Sequence, residues 1–139
     1  MRLSFDRIMS VFSCSVLTDT FERLDLYGFG RLAYFFHAAQ SFNGDVSAWN
    51  ISHVTSLAGT FSSATVFNRN VSLWETSRVV DLTSAFQSAN SFDFDLSKWN
   101  TERVTLMDHL FQVCLFDYPR TRVDLVATIR ELKNLHRKD

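Results

Sequence analysis

The residues of this chain with the types and spacing for chemistry are few. "GFGRLA", Gly28 to Ala33, fits the glycine pattern of a dinucleotide-binding turn. There the two glycines would let a pyrophosphate approach the backbone at the start of a helix. It follows the strand-like "RLDLY" and precedes a helical spacing, but no six-strand nucleotide domain surrounds it. His37, His53, His109 and His136 are scattered, with no spacing that suits zinc. There is no C-x-x-C, no G-x-S-x-G and no phosphate-binding loop. Asn50-Ile51-Ser52 and Asn70-Val71-Ser72 are glycosylation sequons, and both also fall on letters that recur for another reason. No catalytic, cofactor-binding or metal-ligating set is assigned, and no cofactor is expected.

A polar ladder is the stronger candidate. Asn43, Asn68 and Asp93 recur at a fixed interval, as do Asp45, Asn70 and Asp95, and Ser47, Ser72 and Ser97. Set in register, these nine residues would form an extended face of the kind repeat proteins offer to partners. Asn, Asp and Ser are also the residues that fasten tight turns by bonding nearby backbone, so the same columns serve a purely structural reading.

The elements that must position this ladder follow from the interval, which is 25 residues. "SFNGDVSAWN" at 41–50 returns as "VFNRNVSLWE" at 66–75 and as "SFDFDLSKWN" at 91–100. Trp49, Trp74 and Trp99 make one column. Phe42, Phe67 and Phe92 make a second, and Phe36, Phe61, Phe86 and Phe111 a third. Val54, Val79 and Val104 align, and so do Leu32, Leu57, Leu82 and Met107. A worn copy precedes them, with Val11, Cys14, Leu17, Phe21, Leu24 and Phe29 in apolar columns. A period of this length marks a solenoid whose units cannot bury their own apolar faces and must stack.

Within a unit the spacing predicts two elements. Val54, Leu57, Phe61, Ala64 and Phe67 come at three- and four-residue steps, which suits a short helix or 3₁₀ segment capped by Thr55. Around Asp45, Val46 and Ser47 the alternation suits a strand of about three residues, with Phe42 and Val46 facing inward. The expected architecture is an α/β repeat solenoid of 25-residue units, each a short strand plus a short helix. Residues 1–139 form one domain: a degenerate repeat at 8–32, regular repeats at 33–117, and an amphipathic C-terminal helix at 118–139. That last segment places Leu125, Val126, Ile129, Leu132 and Leu135 on one side, as a cap over the last repeat requires.

Composition limits the partners. Hydrophobic residues make up 46% and charged residues 21%, with a net charge of −1, so no global field calls for nucleic acid. No apolar run reaches the roughly 20 residues of a membrane helix. The apolar "IMSVFSCSVL" at 8–17 follows Asp6, in the flank a signal peptide keeps basic, is not followed by a small-residue cleavage site, and fits the repeat register better. Cys14 and Cys114 share a column four units apart. At ~4.8 Å per layer they stand about 19 Å from each other, too far for a disulfide.

"TFSSATVFNRNVSLWETSRVVDLTSAF", 60–86, carries Phe, Ala, Phe-Asn, Val-Ser, Trp, Thr-Ser and Val-x-x-Leu landmarks in order. It resembles the BspA-like surface-protein repeat, which is related to a repeat of mycoplasma lipoproteins, clearly over 29–116 and weakly over 8–28. Leu57 and Leu82 stand where that pattern has Met, Glu102 where it has Ser, and Val80 where it has Thr. The resemblance implies a leucine-rich-repeat-like right-handed solenoid and a non-catalytic adhesion or interaction module, on a cell surface or secreted, with a protein or glycan partner. It supplies no catalytic residue. The isolated domain is expected to be monomeric. A structural spacer within a longer surface protein, and a dinucleotide-binding enzyme fragment, are the rival expectations.

Overall fold

The computed structural model describes residues 30–112. They fall into unit 1 (31–55), unit 2 (56–80), unit 3 (81–105) and the start of unit 4 (106–112). Each unit lies over the next in parallel. The backbone pairs as isolated bridges, Arg31 with Ser56, Ser56 with Asp81, and Asp81 with Leu106.

The α/β strand-plus-helix unit expected from the sequence is not what these residues form. Among the described residues there is no helix, and β pairing there is confined to isolated bridges. The expected helix is a run of tight turns, for a reason visible in its hydrogen bonds. In unit 2 the N–H groups of Leu57, Gly59, Phe61 and Ser63 donate to the carbonyls of Asp81, Thr83, Ala85 and Gln87 of unit 3, at 2.7–2.9 Å. The alternate N–H groups of Thr60, Ser62 and Ala64 donate three residues back, to Leu57, Gly59 and Phe61, at 3.0–3.1 Å. Half of the donors a helix would need are thus committed to the neighbouring unit.

Left-handed backbone at every fourth residue completes the interruption. φ is positive at Tyr34, Gly59, Ser84 and His109, which share a column, and at Ala38, Ser63 and Ser88, which share another. A helix cannot continue through such residues. Gly59 fills its place for a second reason as well. The Tyr34 ring of unit 1 lies so close to its Cα that a Cβ there would run into it. Thr55 caps no helix; its N–H and its Oγ1 both donate to the Gly30 carbonyl, at 2.8 and 2.9 Å.

The expected strand at 45–47 is also replaced by a turn. Val46, Val71 and Leu96 are fully buried at this column, while Phe42 is only half-buried. Parallel pairing falls instead on the column of Arg31, Ser56, Asp81 and Leu106.

The core is a set of aromatic columns. Phe36, Phe61, Phe86 and Phe111 stack with centroids 5.3, 5.5 and 5.7 Å apart and planes within 21° of parallel. Phe42, Phe67 and Phe92 run alongside at 5.9 Å per step. Within each unit the two columns touch face to face, as in Phe61 on Phe67 at 3.9 Å. Such offset stacks add to area burial, which is itself worth roughly 1.5–3 kcal/mol per Phe. Trp49, Trp74 and Trp99 are buried beside them. The indole Nε1 of Trp74 donates to the Val46 carbonyl at 3.0 Å and that of Trp99 to the Val71 carbonyl at 2.8 Å, so each of these two ties its unit to the previous one. A column overlooked in the sequence, Phe35, Thr60, Ala85 and Leu110, is buried too. Thr60 is tolerated there because its hydroxyl meets the carbonyls of Leu57 at 2.7 Å and Leu32 at 3.0 Å.

The worn repeat up to residue 29, both cysteines and the segment expected to form the C-terminal helix lie outside the described residues.

Candidate interaction face

The polar ladder is brought into register on one face. Asn43, Asp45, Ser47, Asn68, Asn70, Asp93, Asp95 and Ser97 are exposed and Ser72 is half-buried. Backbone engages the acceptor oxygens of two of its columns. Asp45 Oδ1 accepts the Ser47 N–H at 2.9 Å, Asn70 Oδ1 the Ser72 N–H at 3.0 Å, and Asp95 Oδ1 the Ser97 N–H at 2.8 Å. Each closes the turn that swings the following Trp into the core. The outer column works between units: Asn43 Oδ1 accepts the Asn68 N–H at 2.9 Å, and Asn68 Oδ1 accepts the Asp93 N–H at 3.1 Å. Arg69 arches over this rim, its Nε donating to the Asn43 carbonyl at 2.6 Å.

These bonds set the charge state of the face. The Ser47 N–H, then the Ser47 hydroxyl, hold the Asp45 carboxyl below its ordinary value, with Arg69 adding a smaller pull. Asp95 is lowered in the same way, first by the Ser97 N–H and then by its hydroxyl, with Lys98 nearby. Both stay ionised under all but acid conditions, and the face carries fixed negative charge at its first and third steps with neutral Asn70 between.

A second row of turn fasteners follows five residues on; the sequence showed Asn50 and Ser52 only as part of a sequon and not as a turn column. Asn50 Oδ1 accepts both the N–H and the hydroxyl of Ser52, at 3.1 and 2.8 Å. Glu75 Oε1 accepts the Ser77 N–H at 3.0 Å, and Asn100 Oδ1 the Glu102 N–H at 3.0 Å. The Glu75 carboxyl is lowered, first by the Ser77 hydroxyl and then by its N–H. The signal was present, since a side-chain acceptor two residues before a Ser or Glu recurs in all three copies.

The other singled-out residues do not converge. Gly30 spends its carbonyl on Thr55, and "RLA" after it leads into buried stack positions rather than a helix start. Gly28 and His136 lie outside the described residues. His53 Nδ1 contacts the Ser52 hydroxyl at 3.1 Å, His37 meets the Tyr34 ring edge-on at 5.7 Å, and His109 sits on left-handed backbone. Among the described residues no group of three or more His, Cys, Asp or Glu is placed to hold a metal ion. No helix there is long and apolar enough to cross a membrane.

No curated protein and no solved structure matches the chain. A family model does, over residues 7–122, which takes in the worn repeat, all regular copies and the first residues beyond them. That match does not extend to the BspA-like repeat that the sequence resembles; what it establishes is coarser. The chain belongs to the family described as Mycoplasma protein of unknown function, DUF285.

Proposed function

We propose that this protein is a non-catalytic interaction module that presents the ladder at columns 43, 45 and 47 to a protein or glycan partner. The observation that carries this reading is the register of the face. Three copies of an Asn/Asp, Asn/Asp, Ser triplet lie along one side, with carboxylates held ionised at Asp45 and Asp95. Repeated, rigidly held polar groups at a constant step suit a partner that is itself repetitive or extended. The likeness to BspA-like surface repeats supports a place on a cell surface and a role in adhesion.

One observation favours a second reading, a structural spacer. Asp45, Asn70 and Asp95 spend an oxygen on the backbone of their own turn, so the triplet has a sufficient purpose without a partner.

The double change Asp45→Asn and Asp95→Asn separates the two, because Asn70 already serves the same turn without charge. Binding is first screened on glycan and purified-protein arrays, and any ligand found is remeasured on the variant. An interaction face predicts a melting temperature lowered only by the small contribution of the two ionised turns, with affinity per folded molecule weakened by about tenfold, the scale of a 1–2 kcal/mol interface contact. Array silence, or a ligand held equally well by the variant, supports the spacer.

A further inference from the structure

We infer that Asn43 is a self-modifying site: its side-chain amide is lost to the backbone nitrogen of Gly44 through a succinimide, leaving aspartate or isoaspartate on the interaction face. The chain has seven Asn residues, and Asn43 alone precedes a glycine. The attacking atom is the backbone nitrogen of the following residue, and a Cβ on that residue crowds its approach. Asn50, Asn68, Asn70, Asn90, Asn100 and Asn134 are followed by Ile, Arg, Val, Ser, Thr and Leu.

The structure adds four conditions to the dipeptide. Asn43 is exposed, so water reaches the amide and the leaving ammonia escapes. Among the described residues the Gly44 N–H takes part in no backbone hydrogen bond of the stack, unlike the alternate N–H groups of 32–38 that are committed to unit 2. The nucleophile is therefore not tied to unit 2. Asn43 Oδ1 accepts the Asn68 N–H at 2.9 Å, which withdraws electrons from the Cγ carbonyl that is attacked. Arg69, donating to the Asn43 carbonyl at 2.6 Å, places a positive charge beside the site. That charge favours a deprotonated Gly44 nitrogen and the carboxylate that results.

The step balances with solvent alone. Base removes the Gly44 amide proton, and the nitrogen attacks Asn43 Cγ. The new N–Cγ bond forms as the Cγ–Nδ2 bond breaks, and Nδ2 takes a proton from water, or from the base that removed the Gly44 proton, and leaves as ammonia. Water then opens the imide at either carbonyl, giving an aspartate at position 43 or its isomer with the chain running through Cγ. The aspartate product is already accommodated by the fold, since Asp93 occupies the same column. It adds a fourth carboxylate to the face that carries Asp45, Asp93 and Asp95. The isomer lengthens the backbone at 43 and withdraws the acceptor from the Asn68 N–H.

Gly44→Ala is a clean control. Gly44 is not on left-handed backbone, and its column carries Arg69 and Phe94 in the next two units. The full chain is incubated in buffer at mildly alkaline pH and 37 °C, then digested and mapped by mass spectrometry with the aspartate and isoaspartate peptides resolved. The expected result is conversion at Asn43 while the other Asn residues stay intact. Gly44→Ala should slow it by roughly an order of magnitude or more. Amide hydrogen exchange at Asn68 should rise only in the isoaspartate fraction. An Asn43 that stays amidated in the folded chain, over a period in which the same chain converts in denaturant, would overturn the inference. Equal conversion in Gly44→Ala would do so as well.

Discussion

Trp74 offers the most direct measure of how units hold one another. Its ring is 4% exposed, stacks on Trp99 with centroids 6.4 Å apart and planes 9° from parallel, and lies 6.0 Å from Phe61. Its Nε1 also donates to the Val46 carbonyl of the preceding unit. Trp74→Ala removes packing and hydrogen bond together and should cost about 3–5 kcal/mol, the range for deleting a buried indole. Trp74→Phe keeps most of the packing and removes the donor. The Val46 carbonyl is not stranded by that change, because it still accepts the Trp49 N–H at 3.1 Å. The loss is then the net value of one hydrogen bond plus a small deficit of buried ring, about 1–2 kcal/mol. Urea titrations of the three proteins, with slopes compared, provide the readout. If Trp74→Phe proved as damaging as Trp74→Ala, the hydrogen bond rather than burial would dominate the column. An unchanged midpoint for Trp74→Ala would remove the Trp column from the core altogether.

The carboxylate turns predict a pH dependence of definite sign. Asp45 and Asp95 have native values lowered by the Ser47 and Ser97 N–H groups, so their contribution is complete above the unfolded Asp value of about 3.9 and is lost as pH falls through the lowered native values. Melting temperature should therefore drop below about pH 4 in the native chain and drop less in Asp45→Asn/Asp95→Asn; parallel curves would contradict this. Gly59→Ala should destabilise by about 1–2 kcal/mol, because φ of +59° disfavours a Cβ and the Tyr34 ring occupies its space. Adding Tyr34→Ala should recover the steric part only, and full recovery in the double variant would show that backbone strain at this turn is negligible.

How much of this was legible beforehand differs from column to column. The aromatic columns could be read directly, since a residue that must face its own copy in the next unit recurs at the unit length. Phe61, Phe86 and Trp74 are buried for that reason. The polar columns at 43, 45 and 47 were equally legible as positions. Their bonds were not, since an Asn or Asp oxygen has several backbone N–H groups within reach and the chain path selects one. Asn43 reaches across to the next unit while Asp45, two residues on, reaches along its own turn.

The sequence by itself determined the 25-residue register, the aromatic core columns and the polar composition of the face, because each depends only on which residue types recur together. Only the tertiary structure decided the backbone between them. Steps of three and four residues from Leu57 to Ala64 are satisfied equally by a helix and by successive turns with left-handed residues at Gly59 and Ser63. The choice rests on where the N–H groups of Leu57, Gly59, Phe61 and Ser63 find acceptors, and these are the carbonyls of Asp81, Thr83, Ala85 and Gln87. Those carbonyls belong to the next unit of the stack, beyond the reach of any local propensity.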